Sequence, residues 1–587
     1  MNFSQRHRNF KVAVVLLACV FSSIAISQTV TPTDLARLPN EPIAFNAQKG
    51  VATKGFAVST ANPLATQAGY DILQMGGAAI DAAIAIQMVL TLVEPQSSGI
   101  GGGAFLLYHD GQRVRAYDGR ETAPAAATEN LFMREGRAMD MRQAAHGGLA
   151  VGVPGVLRML ELAHRNHGRL PWSRLFEPAI ALAQNGFPMG PRLHQLLRGA
   201  TDLAQDPQAR AFFFQADGQA WPVGHRLQNP GLAQVWQRIA DQGADAFHQG
   251  AIAQAMVHKV QNHPNNPGLL SLEDLRQYRA VEREPLCFDH GALGVMHQVC
   301  GFPPPSSGAL AIGQILGILN HTPAQDLSLE QGLPTSDWLH FYNESSKLAF
   351  ADRAQFVADP DFVKAPGGQW QTLLNPTYLL QRSRLIGPQS MQQAQAGQPG
   401  QAPSAWAPMP HQPEYGTSHI SIVDAFGNAL AMTTTIEDAF GARQMVHGFL
   451  LNNELTDFSF APADAQGRPI ANRVQGGKRP RSSMAPTLVF DKASGRILNA
   501  EQAQAMGFVS EVLPSASFEA MAAQRVAQYA GRSGALAIGK RAARTVQGAE
   551  VFQRNLGLLE ALGKEMMDGS AARAISEFRA QQGRTSA

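Results

Sequence analysis

Thr417 follows Gly416 where a polar, Pro-rich stretch gives way to a β-branched run, and a second cluster, Thr433-Thr434-Thr435, lies one short turn further on. A threonine hydroxyl at such a junction is a candidate nucleophile, although threonine in strands is equally a matter of β-propensity. Other chemistries are poorly supported. There are 17 histidines but no HExxH, no CxxC and no paired-His spacing, so no metal is expected. A G-x-S-x-G elbow is missing. The glycines of residues 99–103, GIGGG, follow a polar EPQSS segment and precede a strand pattern. A dinucleotide fingerprint must follow a strand and open a helix, so no such cofactor is expected, and backbone permissiveness accounts for the glycines.

The elements that must position Thr417 can be read locally. Residues 418–423 and 429–435 are alternating or β-branched runs joined by DAFGN, which predicts a hairpin with Thr417 at its entrance. Apolar residues recur at helical spacing over 64–92, broken at Gly76-Gly77, and a strand follows at 104–108. Further helices are expected at 154–166, 172–186, 230–241 and 307–319, while 388–413, rich in Gln, Pro, Ala and Gly, reads as a flexible surface loop.

Length and composition set the frame. A chain of 587 residues, 45% hydrophobic and 16% charged, has ample core for a multilayer fold or more than one domain. With 48 basic against 46 acidic residues, nothing in the charge calls for nucleic acid as a partner. Arg6, Arg8 and Lys11, the apolar run from Val12 to Ile26 and the small residues before position 28 read as a signal peptide over 1–27. The run is about 15 residues, short for a membrane span, so export to the periplasm or medium is expected. Leu16-Leu17-Ala18-Cys19 resembles a lipoprotein box, but apolar Val20 and Phe21 follow it, so a lipid anchor ranks below export. Cys287 and Cys300 then remain as an even pair, open either to a disulfide across a hairpin turning at Asp289-His290-Gly291 or to two buried thiols.

Several blocks resemble, in order, those of the γ-glutamyltransferase family. They are VEPQSSGIGGG at 93–103, RETAP at 120–124, PPPSSG at 303–308, YGTSHISIVD at 415–424 with GN at 427–428 and TTT at 433–435, LLNN at 450–453 and RPRSSM at 479–484. The resemblance spans about residues 50–495. It implies an α+β fold, the four-layer αββα N-terminal-nucleophile sandwich, and a proenzyme that cuts itself between Gly416 and Thr417. The products would be a large subunit, 28–416, and a small subunit starting at Thr417. A freed α-amino group, with pKa of about 7.7 to 8.0, would give Thr417 its own general base.

The resemblance also implies roles. Thr435 supports the nucleophile and takes part in processing. Arg120 clamps the donor's α-carboxylate as a bidentate fork, together with Ser482 and Ser483. Glu454 and Asp457 accept from its α-ammonium, and Glu437 joins them at a position where relatives often carry Asn. The donor would be glutathione or a related γ-glutamyl compound, and the acceptor water, an amino acid or a peptide. No cofactor is implied.

Two departures stand out. No aromatic residue lies between Phe460 and Phe490, where many members place one on a lid. Beyond Phe490 the oxyanion loop of the Gly-Ser-Pro-Gly-Gly type is not found, so the small subunit reads as truncated at about 496. The remainder, 497–587, resembles the C-terminal end of enoyl-CoA hydratase/isomerase (crotonase) proteins and forms a mostly helical appendage. Impaired turnover is therefore expected, because one lost oxyanion donor costs about 10² to 10³ in rate. Two other readings stand beside this one: a β-lactam (cephalosporin) side-chain acylase of the same family, and an unprocessed, non-catalytic binding protein.

Overall fold

A computed structural model describes residues 55–292, 294–327, 334–400, 404–412 and 416–497. The signal segment, the crotonase-like tail beyond Ile497 and the region where an oxyanion loop would follow lie outside the described residues.

The central sheet is wholly antiparallel. Its strands are β1 (Ala57–Thr60), β2 (Gly103–His109), β3 (Val114–Asp118), β4 (Val281–Arg283), β7 (Ser418–Val423) and β8 (Ala429–Thr435), in the order β1-β7-β8-β2-β3-β4. A smaller antiparallel sheet consists of β5 (Leu286–Ala292), β6 (Val295–Gly301) and β9 (Thr487–Asp491), with β6 in the middle.

Helices cover the outer faces. Over the larger sheet lie α1 (Pro63–Gln74), α2 (Ala79–Val93), α3 (Val156–His167), α4 (Glu177–Asn185) and α5 (Pro230–Gln242). Over the smaller lie α6 (Gly308–Leu319), α7 (Ser336–Phe356) and α8 (Pro376–Ser383). Between the sheets Phe105, Leu107, Ala116, Ala429 and Ala431 meet Cys300, Phe302, Leu488 and Phe490, with Phe105 stacked on Phe302 at 4.2 Å. This is the αββα sandwich, and the alternation of side chains along each strand produces it.

Local chemistry sets the β7-β8 hairpin. Asp424 takes the amides of Phe426 and Asn428 on one carboxylate oxygen, and Gly427 supplies the left-handed turn residue at φ 84°. The other oxygen accepts from the amide of Ala79, so the same aspartate caps α2. Every residue of α2 is buried, which explains its lack of a polar face.

Three expectations need correction. The β5-β6 hairpin turns after Ala292, and Asp289-His290-Gly291 lies within β5; Cys287 and Cys300 are directly opposed and joined by a disulfide. Within the stretch 388–413, residues 404–412 are no free surface loop: Ala407 and Met409 are buried with Ile470, and Gln412 donates to the carbonyls of Thr456 and Phe458 at 2.9 and 3.0 Å. Finally, no glycine in the 99–103 run has positive φ. A Cβ on Gly101 would lie 2.1 Å from the Leu450 carbonyl and one on Gly102 2.0 Å from that of Thr435, so close approach, not permissive φ, requires glycine.

Candidate active site

Thr417 is exposed at the start of β7, and Thr435 is buried at the end of β8 beside it. The Thr435 hydroxyl lies 3.4 Å from the Gly416 carbonyl as donor and accepts from the Glu437 amide at 2.9 Å. Thr435 is fixed in turn by its pairing with Gly103.

Thr417, Thr433, Thr435, Glu437, Glu454, Asp457, Ser482 and Ser483 line a cavity of about 300 Å³. A short helical turn, Glu454–Asp457, presents both acids, and Asn452 anchors it by donating to the carbonyls of Gly101 and Gly152 while accepting from the Glu454 amide at 3.0 Å. Ser482 and Ser483 arrive on an extended segment clamped by the 303–308 loop. There Ser307 donates to the Ser482 carbonyl from its amide and hydroxyl, and Ser306 to that of Met484 at 2.6 Å.

Arg120 comes to the same place but from behind. It is fully buried, ion-paired to Glu454 and Asp457, and donates to the carbonyls of Pro480 and Arg481 at 3.1 and 2.9 Å. Burial opposes its charge, but the surrounding carboxylates outweigh that and keep the guanidinium protonated. It is not among the cavity walls, so a substrate carboxylate would have to take over donors that the two acids now hold.

The acids outnumber their cation. Burial pushes Glu454 up to about 7 against the pull of Arg120. Burial also lifts Glu437 and Glu121 well above the ordinary carboxylate range, with Asp457 and Glu454 adding to the effect at Glu437 and Glu454 at Glu121. Glu437 sits at φ 74°, strained for a non-glycine residue. One of its oxygens accepts from Asn453 and Thr456, while Oε1 is buried without a hydrogen-bond partner among the described residues.

The motif reading missed Arg353, which donates to Ser307 and Ser483 at 2.8 and 2.6 Å. A lone arginine in the helical pattern of α7 was its only signal. Asn453 and Thr456 were missed as the holders of Glu437. Among the described residues no cluster of side chains could hold a metal ion.

A family model described as gamma-glutamyltranspeptidase matches residues 65–500. The chain belongs to the gamma-glutamyltranspeptidase family. It is similar to the glutathione hydrolase proenzyme of Bacillus subtilis (strain 168), 36% identical over 490 residues, 81% of this chain and 79% of that protein. Among solved structures it resembles a cephalosporin acylase from Bacillus halodurans, with TM-score 0.63, 26% identity and 79% and 80% of the two chains covered. The gamma-glutamyltranspeptidase of Helicobacter pylori aligns with TM-score 0.54 and 30% identity over 60% of this chain and 98% of that one. Members of this family include enzymes named for glutathione hydrolysis and made as proenzymes.

Proposed function

We propose that the chain cuts itself before Thr417 and uses that residue to transfer the γ-glutamyl group of glutathione, or a related donor, to water or an amine. The observation that carries this is Thr417 standing exposed next to the Gly416 carbonyl, which lies 3.4 Å from the Thr435 hydroxyl, in a cavity walled by three acids and two serines. In the precursor the Thr417 hydroxyl attacks the Gly416 carbonyl; in the mature protein its freed amine serves as base for attack on the donor's γ-carbonyl. Glu454, Asp457 and Glu437 take the α-ammonium. Ser482 and Ser483 take the α-carboxylate, with Arg120 joining them once the ammonium draws the acids forward. Residues 1–27 act as an export signal, delivering the protein to the periplasm or medium, with 28–416 and 417 onward as the two subunits.

The likeness to a cephalosporin acylase favours one second reading, side-chain hydrolysis of a β-lactam. A glutaryl donor has no ammonium to offset buried Glu437 and Glu454 and half-buried Asp457, which weighs for the γ-glutamyl donor. Mass spectrometry of the purified chain beside Thr417→Ala tests the cut, and competing glutathione against a glutaryl-cephalosporin tests the donor. A fragment beginning at Thr417 in the wild type alone, with glutathione preferred, is the expected result. An uncut wild type points to a non-catalytic protein.

A further inference from the structure

Glu121 follows Arg120 in the chain, and none of the roles assigned above uses it. Its side chain is fully buried, and neither of its oxygens has a hydrogen-bond partner among the described residues. The same holds for Oε2 of Glu454, whose Oε1 is taken by Arg120. The two carboxyl groups lie within hydrogen-bonding reach of each other. We propose that Glu121 stands as a neutral carboxylic acid donating to Oε2 of Glu454, and thereby holds Glu454 as the anion turned to accept the donor's α-ammonium. Glu121 is then a positioning residue, and the inference rests on the reading of Glu454 as an ammonium acceptor.

Three observations support it. First, donors are lacking. Two ionised carboxylates offer each other only acceptors, so their contact needs a proton in it, and a buried carboxylate left unpaired is costly. Second, the guanidinium decides which acid keeps that proton. Arg120 ion-pairs closely with Glu454 and Asp457 but stands 3.9 Å from Oε2 of Glu121, so the negative charges settle on the first two and the proton on the third. The groups facing Glu121 are these three and Tyr278, whose hydroxyl donates to the Arg120 carbonyl at 2.7 Å. Burial, with the Glu454 charge adding to it, holds Glu121 well above the ordinary carboxylate range, in agreement with the geometry. A desolvated pocket can keep a carboxylic acid neutral at about pH 7 so that it serves as a donor.

Third, the fold builds a slot for this acid. A Cβ on Gly103 would lie 2.3 Å from Oε2 of Glu121, and one on Gly152 2.8 Å from its Cβ, so the side chain is packed between two backbone segments that only glycine brings this close. Gly103 pairs with Thr435, and the Gly152 amide donates at 2.9 Å to Asn452, which also accepts from the Glu454 amide. Glu121 is thus fixed against the same segments that set the nucleophile strands and the Glu454 turn.

The test needs no turnover. Infrared difference spectra of the full-length protein at about pH 8, where ordinary carboxylates are ionised, should show the carbonyl band of a protonated acid in the wild type and its loss in Glu121→Gln. Glu437, also held above the ordinary range, contributes to both spectra and cancels. The ionisation of Glu454, isolated in the same way against Glu454→Gln, should keep its midpoint in Glu121→Gln, whose amide still donates. In Glu121→Leu, which fills the slot without a donor, the midpoint should rise by about one pH unit. Glutathione binding to Thr417→Ala protein, followed by isothermal titration, should tighten with pH over the same range when Glu121→Gln is added and about one pH unit later when Glu121→Leu is added. The proposal is overturned if no band is lost in Glu121→Gln, if that variant's Glu454 midpoint is displaced upward, or if Glu121→Leu leaves the midpoint unmoved; the first two outcomes decide should the leucine variant not fold. Spectra as expected with no glutathione binding at any pH would count against the proposed function and leave the hold of Glu121 on Glu454 standing.

Discussion

The two sheets do different jobs. In the larger one, the nucleophile strands β7 and β8 are interior, and all seven residues of β8 are buried. In the smaller one, among the described residues only β6 has neighbours on both sides, with the Cys287–Cys300 bridge tying β5 to it and intersheet packing covering all three strands. The strand that follows Thr417 is thus fixed by backbone pairing on both sides, whereas the smaller sheet leans more on side chains. The larger sheet should therefore tolerate chemical insult at the site, and the smaller should be the first to loosen.

This contrast can be broken in several ways. Thr417→Ala should abolish the cut and lower turnover at least ~10³-fold while the fold is kept, since the side chain is exposed; gel and circular dichroism together check both halves. Arg120→Ala leaves buried Glu454 and half-buried Asp457 without their cation, and should cost about 3–5 kcal/mol in chemical denaturation as well as activity. Phe105→Ala opens the intersheet layer, for about 3–5 kcal/mol, with hydrogen exchange rising more in β5, β6 and β9 than in β7 and β8. Equal rises in both sheets would undo the comparison. Replacing both cysteines by alanine frees a loop whose ends are 13 residues apart, for about 2–4 kcal/mol, and should leave turnover intact.

The smallest effect is one of pH. Glu454, at about 7 in the folded protein against 4.5 otherwise, holds its proton longer when folded. Its contribution to stability is therefore full below about pH 4.5 and is lost as pH rises to about 7. The melting temperature should fall over that window and fall less in Glu454→Gln. Donor capture should move the opposite way, improving as Glu454 ionises.

The nucleophile hairpin was legible because it is local: the 418–423 and 429–435 runs and the Gly427 turn declare themselves by alternation and turn chemistry. So were the helices broken at Gly76-Gly77, now α1 and α2. Family resemblance brought Thr435, Ser482, Glu454 and Asp457 to one cavity, but it did not foretell that Arg120 stands behind the acids. That depends on contacts across more than 300 residues, which leave no periodic trace. Part of the 388–413 stretch, 404–412, departs from expectation for a related reason: composition reports the absence of a pattern, yet Ala407 and Met409 are buried by their place against Ile470.

The antiparallel ladder that holds Thr417 alternates β1, then β7 and β8, then β2, so chain from before residue 416 flanks chain from after it on both sides. A cut before Thr417 would leave the two pieces interleaved, with no way to part short of tearing three ladders, β1 with β7, β8 with β2 and β6 with β9. Once parted, they would have to meet again at their bulk concentrations, where the intact precursor needed only to fold upon itself. Maturation would thus act as a ratchet: unfolding that is reversible before the cut becomes hysteretic after it, and the working enzyme persists by the slowness of its disassembly.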